Sequence, residues 1–254
     1  MTSSKVKSTP GSRRDEARRR AAAAREAQRR QERRRRNLTQ AIIGIAVLAI
    51  VVGIGIVVQA SRNKTTGPLV VPAAAVNRTG FAVGPSTAKV TVDAYEDFQC
   101  PVCREFESQS AATLQQLVTQ GKIRLIYHPI AILDRFSTTN YSTRAASASA
   151  CAADAGVFPL FHSTLYNNQP AENSAGLTDA KLIQLGQQSG ATDQTFATCV
   201  KSGKYKPWVK SVTDASSKRG VNGTPTIYVN GKVIGGGSVP TNAQLLAAIT
   251  AAGG

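Results

Sequence analysis

The chain has 254 residues and a formal net charge of +16, with four cysteines and two histidines. The excess is local: residues 1–36 hold 14 Lys and Arg against 4 Asp and Glu, a net +10, so the rest of the chain carries only +6. That distribution argues against nucleic-acid binding, because the basic tail attracts phosphate but has no interleaved aromatics on which bases would stack.

The tail, residues 1–37, ends in Arg33-Arg34-Arg35-Arg36, and an uncharged apolar run of 18 residues follows from Ala41 to Val58. Eighteen helical residues rise about 27 Å, and the flanks from Leu38 to Ala60 extend this to the roughly 30 Å of a bilayer core. Residues 38–60 are therefore expected to form one transmembrane helix. The cationic flank stays cytoplasmic, which places everything after it outside the cytoplasm in a single-pass plasma-membrane arrangement. Arg62 and Lys64, beyond the run, are too few to reverse that bias. The tail reads as a partly helical arm near anionic head groups. A cleaved signal peptide ending near Val58-Gln59-Ala60 is the alternative, but the charged region is long and the apolar run exceeds a signal core. On either reading the cysteines lie where disulfides persist.

Residues 61–85 are rich in Gly, Pro, Ala, Asn and Thr and read as a linker, with a short edge strand at its end, Phe81-Ala82-Val83. The folded domain is expected over 86–254. Lys89 to Tyr95 alternates and is β-branched, so it predicts a strand. It runs directly into Phe98-Gln99-Cys100-Pro101-Val102-Cys103. Two cysteines three apart can react with one another if the first caps a helix and the second sits one turn in. Pro101 suits that first turn, where its missing N–H costs nothing. Cys100 then stands where unpaired N–H groups and the positive end of the helix dipole converge, which favours its thiolate. The pair reads as a redox-active dithiol, with Cys100 as nucleophile and Cys103 resolving. Half of a zinc site is the bland alternative, but a closed site needs four ligands and no second Cys-x-x-Cys exists.

A helix from Cys103 to Gln120 follows, with Phe106, Leu114, Leu117 and Val118 at helical spacing and Gly121 to stop it. Lys122 to Tyr127 predicts the next strand, ended by His128-Pro129. Helices are expected over 140–155, 158–166, from Thr178, over 193–200 and over 206–219. Together they make a helical insert at about 138–220, whose Leu, Phe and Trp208 side chains are core. The sheet resumes at Thr226-Ile227-Tyr228-Val229, turns at Asn230-Gly231, returns over Lys232 to Ile234, and a last helix closes the chain over 243–252. The class is α/β, ordered β-α-β, helical insert, β-β-α. Placing the dithiol at the first strand-to-helix junction fits the habit of open α/β sheets.

That order resembles the thioredoxin fold with a helical insertion, as in DsbA-like proteins, and most closely the membrane-anchored forms of Gram-positive and actinobacterial envelopes. The residues that carry the resemblance are Glu96 to Cys103, Gly223-Thr224-Pro225-Thr226 and Val229-Asn230-Gly231. Phe158-Pro159-Leu160-Phe161-His162 looks like an insert helix of the same family. The resemblance covers about residues 84–254. It implies a thiol–disulfide oxidoreductase with no cofactor and no metal, cysteine-containing secreted proteins as partners, and a quinone-linked membrane protein as reoxidant. It also implies that Pro225 is cis and lies beside the dithiol, leaving the Thr224 backbone free to pair with an extended substrate by strand addition. On sequence alone an ordinary trans proline opening a strand stands beside that implication.

Two departures stand out. Such proteins often carry a buried acid six residues before the attacking cysteine, which helps move the proton of the resolving one; here that position is Ala94. Glu96 and Asp97 are near in sequence and read as surface or turn-capping residues. The strongest oxidants of the family have a histidine between the cysteines, whereas Val102 supplies neither charge nor hydrogen bond. Cys151 and Cys199, both within the insert, read as a structural disulfide, with two buried free thiols as the alternative. His128 and His162 read as satisfied core or surface residues without a catalytic part. A reductase or isomerase using the same dithiol, or a membrane-tethered peptide-binding module, are the rival functions. No dimerisation heptad or long exposed apolar helix favours an isomerase architecture.

Overall fold

The computed structural model describes residues 67–253. The basic tail and the apolar run over 38–60 lie outside the described residues. No helix among the described residues is long and apolar enough to cross a membrane. The elements are β1 (Phe81–Val83), β2 (Val90–Glu96), α1 (Pro101–Thr119), β3 (Ile123–Pro129), α2 (Tyr141–Asp154), α3 (Phe158–Asn167), α4 (Asp179–Gln188), α5 (Gln194–Ser202), α6 (Lys206–Lys218), β4 (Thr226–Val229), β5 (Lys232–Val233) and α7 (Asn242–Ala251).

The five strands form one sheet in the order β1-β3-β2-β4-β5. Strands β2 and β3 are parallel and joined by α1; the other neighbours are antiparallel. Alternation along β2 sends Val90, Val92 and Ala94 to one face, where they pack with Phe106, Leu114 and Val118 of α1 and with Leu245 and Ile249 of α7. Tyr95 faces the other way, into the larger core built by the insert. Asn230 and Gly231 both have positive φ, 45° and 78°, as a two-residue hairpin requires. Asn230 also ties the turn to the sheet, its side-chain oxygen accepting from the Thr91 N–H at 2.8 Å.

Helix α2 is the hub of the insert. Its run of Ala and Ser is buried almost throughout, and such small side chains let neighbouring helices approach closely. Cys151 of α2 is disulfide-bonded to Cys199 of α5. Trp208 of α6 is buried, as core.

The stretch expected to be a linker as far as residue 85 is folded over its last part. Val70, Val71 and Ala75 pack against the insert core. The Ala73 N–H donates to Asp154 Oδ1 at 3.0 Å, and Trp208 Nε1–H donates to the Arg78 carbonyl at 2.7 Å. The Phe81 ring lies 4.7 Å from Phe158 and 5.2 Å from Trp208. A boundary at residue 86 therefore falls inside the folded unit. Composition marked this segment as loose, but its order comes from contacts with residues far along the chain.

Candidate active site

Strand β2 ends at Glu96, and a tight loop of three residues carries the chain to Cys100 at the N-cap of α1. Cys100 is extended (φ −74°, ψ 116°), and Pro101 occupies the first helical position. The loop is held by Asp97. Its Oδ1 accepts from the Gln99 N–H at 2.9 Å, and its Oδ2 accepts from the Leu133 N–H at 3.0 Å. The antiparallel register pairs Tyr95 with Thr226, so the residues that open β4 arrive beside the end of β2. Thr224 and Pro225 thereby reach the dithiol. The Thr224–Pro225 bond is cis, and the Cys100 thiol donates to the Thr224 carbonyl at 3.3 Å.

Both thiols are free and buried, Cys100 being 6% exposed and Cys103 fully enclosed. Their surroundings act in opposite directions. The Cys100 pKa is lowered to about 6, chiefly by a hydrogen bond from the Cys103 thiol, then by the Thr224 side-chain hydroxyl and the N–H groups of Cys103 and Val102. Those donors outweigh the cost of partial burial. The Cys103 pKa is raised well above the usual thiol range by burial first, then by its bond to Cys100 and the charge of Glu96.

Behind Cys103 lies a cluster that reading along the sequence placed elsewhere. Glu96 and Asp97, expected at the surface or on a turn, are 3% and 0% exposed. Asp97 does cap the turn, but from the interior, and burial pushes its pKa up to about 7. Glu96 bonds to His162 Nε2 at 2.8 Å, and Glu107 lies 3.9 Å from His162 Nδ1. Burial pushes Glu96 and Glu107 up to about 8 each, with their mutual repulsion adding to the rise in Glu107. Burial also lowers His162, which favours neutral imidazole. One oxygen of each carboxyl, Oε1, is buried with no hydrogen-bond partner among the described residues. These three residues bring donor atoms within 4.8 Å of one another. Only Glu96 is within hydrogen-bond distance of the ring; Glu107, at 3.9 Å from Nδ1, is not. His128, the other histidine, is also core, bonded to Asp93 at 3.0 Å and stacked on Tyr95.

Glu96 stands two residues nearer the dithiol than the Ala94 position. It is the last residue of β2, still paired opposite Pro129, and the chain leaves the sheet after it. Its contact with His162 spans 66 residues. No local spacing announces such a pair.

A thiol at a helix N-cap, a second thiol one turn inside and a cis-proline loop across from them define a thioredoxin-fold dithiol protein. The family model described as Thioredoxin matches residues 76–251. Among solved structures, the reduced form of the disulfide bond oxidoreductase DsbG from Mycobacterium tuberculosis aligns with a TM-score of 0.61 at 34% identity, covering 69% of this chain and 88% of that one. Reduced DsbA from the same organism aligns with a TM-score of 0.60 at 33% identity, covering 69% and 93%. The serine/threonine-protein kinase PknE of Mycobacterium tuberculosis is 34% identical over 166 residues, which are 61% of this chain but 29% of the kinase. The chain belongs to the thioredoxin family, in its DsbA-like branch.

Proposed function

We propose that the chain is an extracytoplasmic thiol–disulfide oxidoreductase, tethered by a membrane helix over residues 38–60, that introduces disulfides into secreted or envelope proteins. The observation that carries this reading is the opposed proton affinity of the two thiols. A stabilised Cys100 thiolate favours the reduced pair, which makes the oxidised pair a disulfide donor, and it is a good leaving group.

In the oxidising direction a substrate thiolate attacks Cys100 Sγ of the Cys100–Cys103 disulfide. That bond breaks, its electron pair passes to Cys103 Sγ, and a substrate–Cys100 disulfide forms. Cys103 then takes up a proton, for which the protonated Glu96 carboxyl is the interior source. A second substrate thiolate attacks the substrate sulfur of the mixed disulfide and releases Cys100 as its thiolate. The substrate loses two electrons to the dithiol. A quinone-linked membrane partner, as the family resemblance implies, then removes them. The backbone at Thr224 offers hydrogen bonds to an extended substrate chain.

The test is the reduction potential of the pair, measured by equilibration with glutathione. A value of roughly −120 to −180 mV supports a disulfide donor, and one near about −270 mV sinks the oxidase reading in favour of a reductant. A peptide-binding module with an idle dithiol is separated by Cys100→Ser, which that reading leaves fully functional.

A further inference from the structure

Three side chains from α3 and the residues just after it reach the segment that precedes the dithiol. They stand at positions i, i+4 and i+7, one face of the helix continued into its cap. His162 meets the Glu96 carboxylate at 2.8 Å. The Tyr166 hydroxyl donates to the Asp97 carbonyl at 3.4 Å. Gln169 Nε2 donates to two carbonyls at once, Phe98 at 3.0 Å and Cys100 at 2.9 Å.

The last contact has a consequence for Cys100. Its carbonyl already accepts from Cys103 N–H at 3.1 Å and Arg104 N–H at 3.3 Å, the bonds that start α1. Gln169 is the donor found on the Phe98 carbonyl among the described residues. One amide bonded to both carbonyls fixes the Phe98–Gln99 and Cys100–Pro101 peptide planes, which bracket Gln99 and Cys100, and so holds Cys100 in its extended N-cap conformation. That conformation keeps Cys100 at the N-terminal end of α1, where the first-turn N–H groups and the helix dipole favour its thiolate.

We propose that Gln169 is a positioning residue for the Cys100 thiolate, and that through it the helical insert sets the reactivity of a dithiol belonging to the sheet domain. Gln169 touches neither sulfur. The ionisable groups facing Cys100 are Cys103 from α1 and Glu96 from the end of β2, and neither bonds to Gln169. This proposal rests on the redox reading of the site.

The experiment follows the alkylation rate of Cys100 against pH in the reduced full chain, beside its thermal unfolding. Gln169→Ala removes the donor, and Gln169→Met removes it while keeping the side chain's length and neutrality. Both variants are expected to move the ionisation midpoint of Cys100 up by about one unit, a roughly tenfold loss of thiolate at pH values below the midpoint. Their unfolding transitions are expected to stay cooperative. A low midpoint in the unsubstituted chain that neither variant moves, even with a lowered unfolding temperature, overturns the proposal alone and leaves Gln169 structural. A midpoint in the ordinary thiol range in the unsubstituted chain overturns the redox reading, and the proposal with it.

Discussion

Cys100 and Cys103 are one helical turn apart, yet they occupy two different regions of the molecule. Cys100 belongs to a rim made of helix N–H groups, the Thr224 backbone and exposed Pro101 and Val102. Cys103 belongs to the buried core that also holds Phe98 and Tyr166, with the Glu96 carboxyl near enough to act on its pKa. Directed donors lower one pKa, and desolvation beside carboxyls raises the other. The Cys-x-x-Cys spacing provides only the reach between the sulfurs. The opposed proton affinities of the two thiols come from what each half of the helical turn is packed against.

The largest effect comes from removing one side of that contrast. Cys100→Ser should lower thiol–disulfide exchange by at least about 10³-fold, since no nucleophile remains at the rim. Given a disulfide-bonded substrate, Cys103→Ser should leave the Cys100 thiolate able to attack one substrate sulfur and release the other as a thiolate, and the substrate–Cys100 mixed disulfide should accumulate, detectable by mass spectrometry of non-reduced samples. If Cys103 in a Cys100→Ser chain formed such adducts as readily, the rim and the interior would not differ as described.

The interior side is supplied by the insert, and the insert is stapled by Cys151–Cys199, which closes a loop of 48 residues. Replacing both cysteines by Ala should cost about 2–4 kcal/mol of stability, read as a lower denaturant midpoint at similar slope. An unchanged midpoint would mean that α2 and α5 are held by packing alone.

A smaller effect, more specific to the interior, comes from Glu96→Gln. Burial raises Glu96 and Glu107 to about 8 from the ordinary carboxyl value. Groups raised in this way are protonated in the folded chain while ionised in the unfolded one. Their contribution is full below about pH 4.5 and is lost as pH rises towards about 8. Glu96→Gln should flatten that decline by an amount on the order of 1–3 kcal/mol, measured by denaturant unfolding of the reduced protein at pH 5 and pH 8. It should also slow release of the Cys103 thiolate by roughly 10- to 100-fold if Glu96 supplies its proton. Equal pH slopes in both proteins would remove Glu96 from the proton account.

The elements themselves were legible. Strand alternation, the Pro101 and Gly121 punctuation and the Asn230-Gly231 turn all specify local structure within a few residues. The N-cap half of the rim was legible too, because an N-cap is a local object, whereas the approach of Thr224-Pro225 to it was expected only from the family resemblance. The interior was not legible, because Glu96 meets His162 across 66 residues and Gln169 reaches Cys100 across 69. Alternation leaves the facing of a strand's last residue undecided where the chain turns away. The edge strand at Phe81–Val83 was expected, but the packing of residues 70–80 was hidden for the same reason. A Gly- and Pro-rich composition describes how a segment behaves alone, whereas Phe81 and Arg78 are held by Phe158 and Trp208.

The smallest expected effect sharpens the rim. Val102 lies between the cysteines, is 46% exposed, and gives the Cys100 sulfur only its backbone N–H. Val102→His places an imidazole on the exposed side of the first turn without entering the core, so the fold and the Cys103 surroundings should be unchanged. When the ring is protonated it adds a positive charge near the thiolate, and when neutral it adds an N–H donor. Both favour the ionised form. The Cys100 midpoint should fall further, by up to about one unit, and the reduction potential should become more oxidising by up to about 30 mV, which is 1.4 kcal/mol for two electrons. Cys103 should not respond. A shift of Cys103 or of the Glu96 titration with Val102→His would mean that the two regions are one electrostatic unit. A shift of Cys100 alone would establish that the rim can be tuned while the interior stands still.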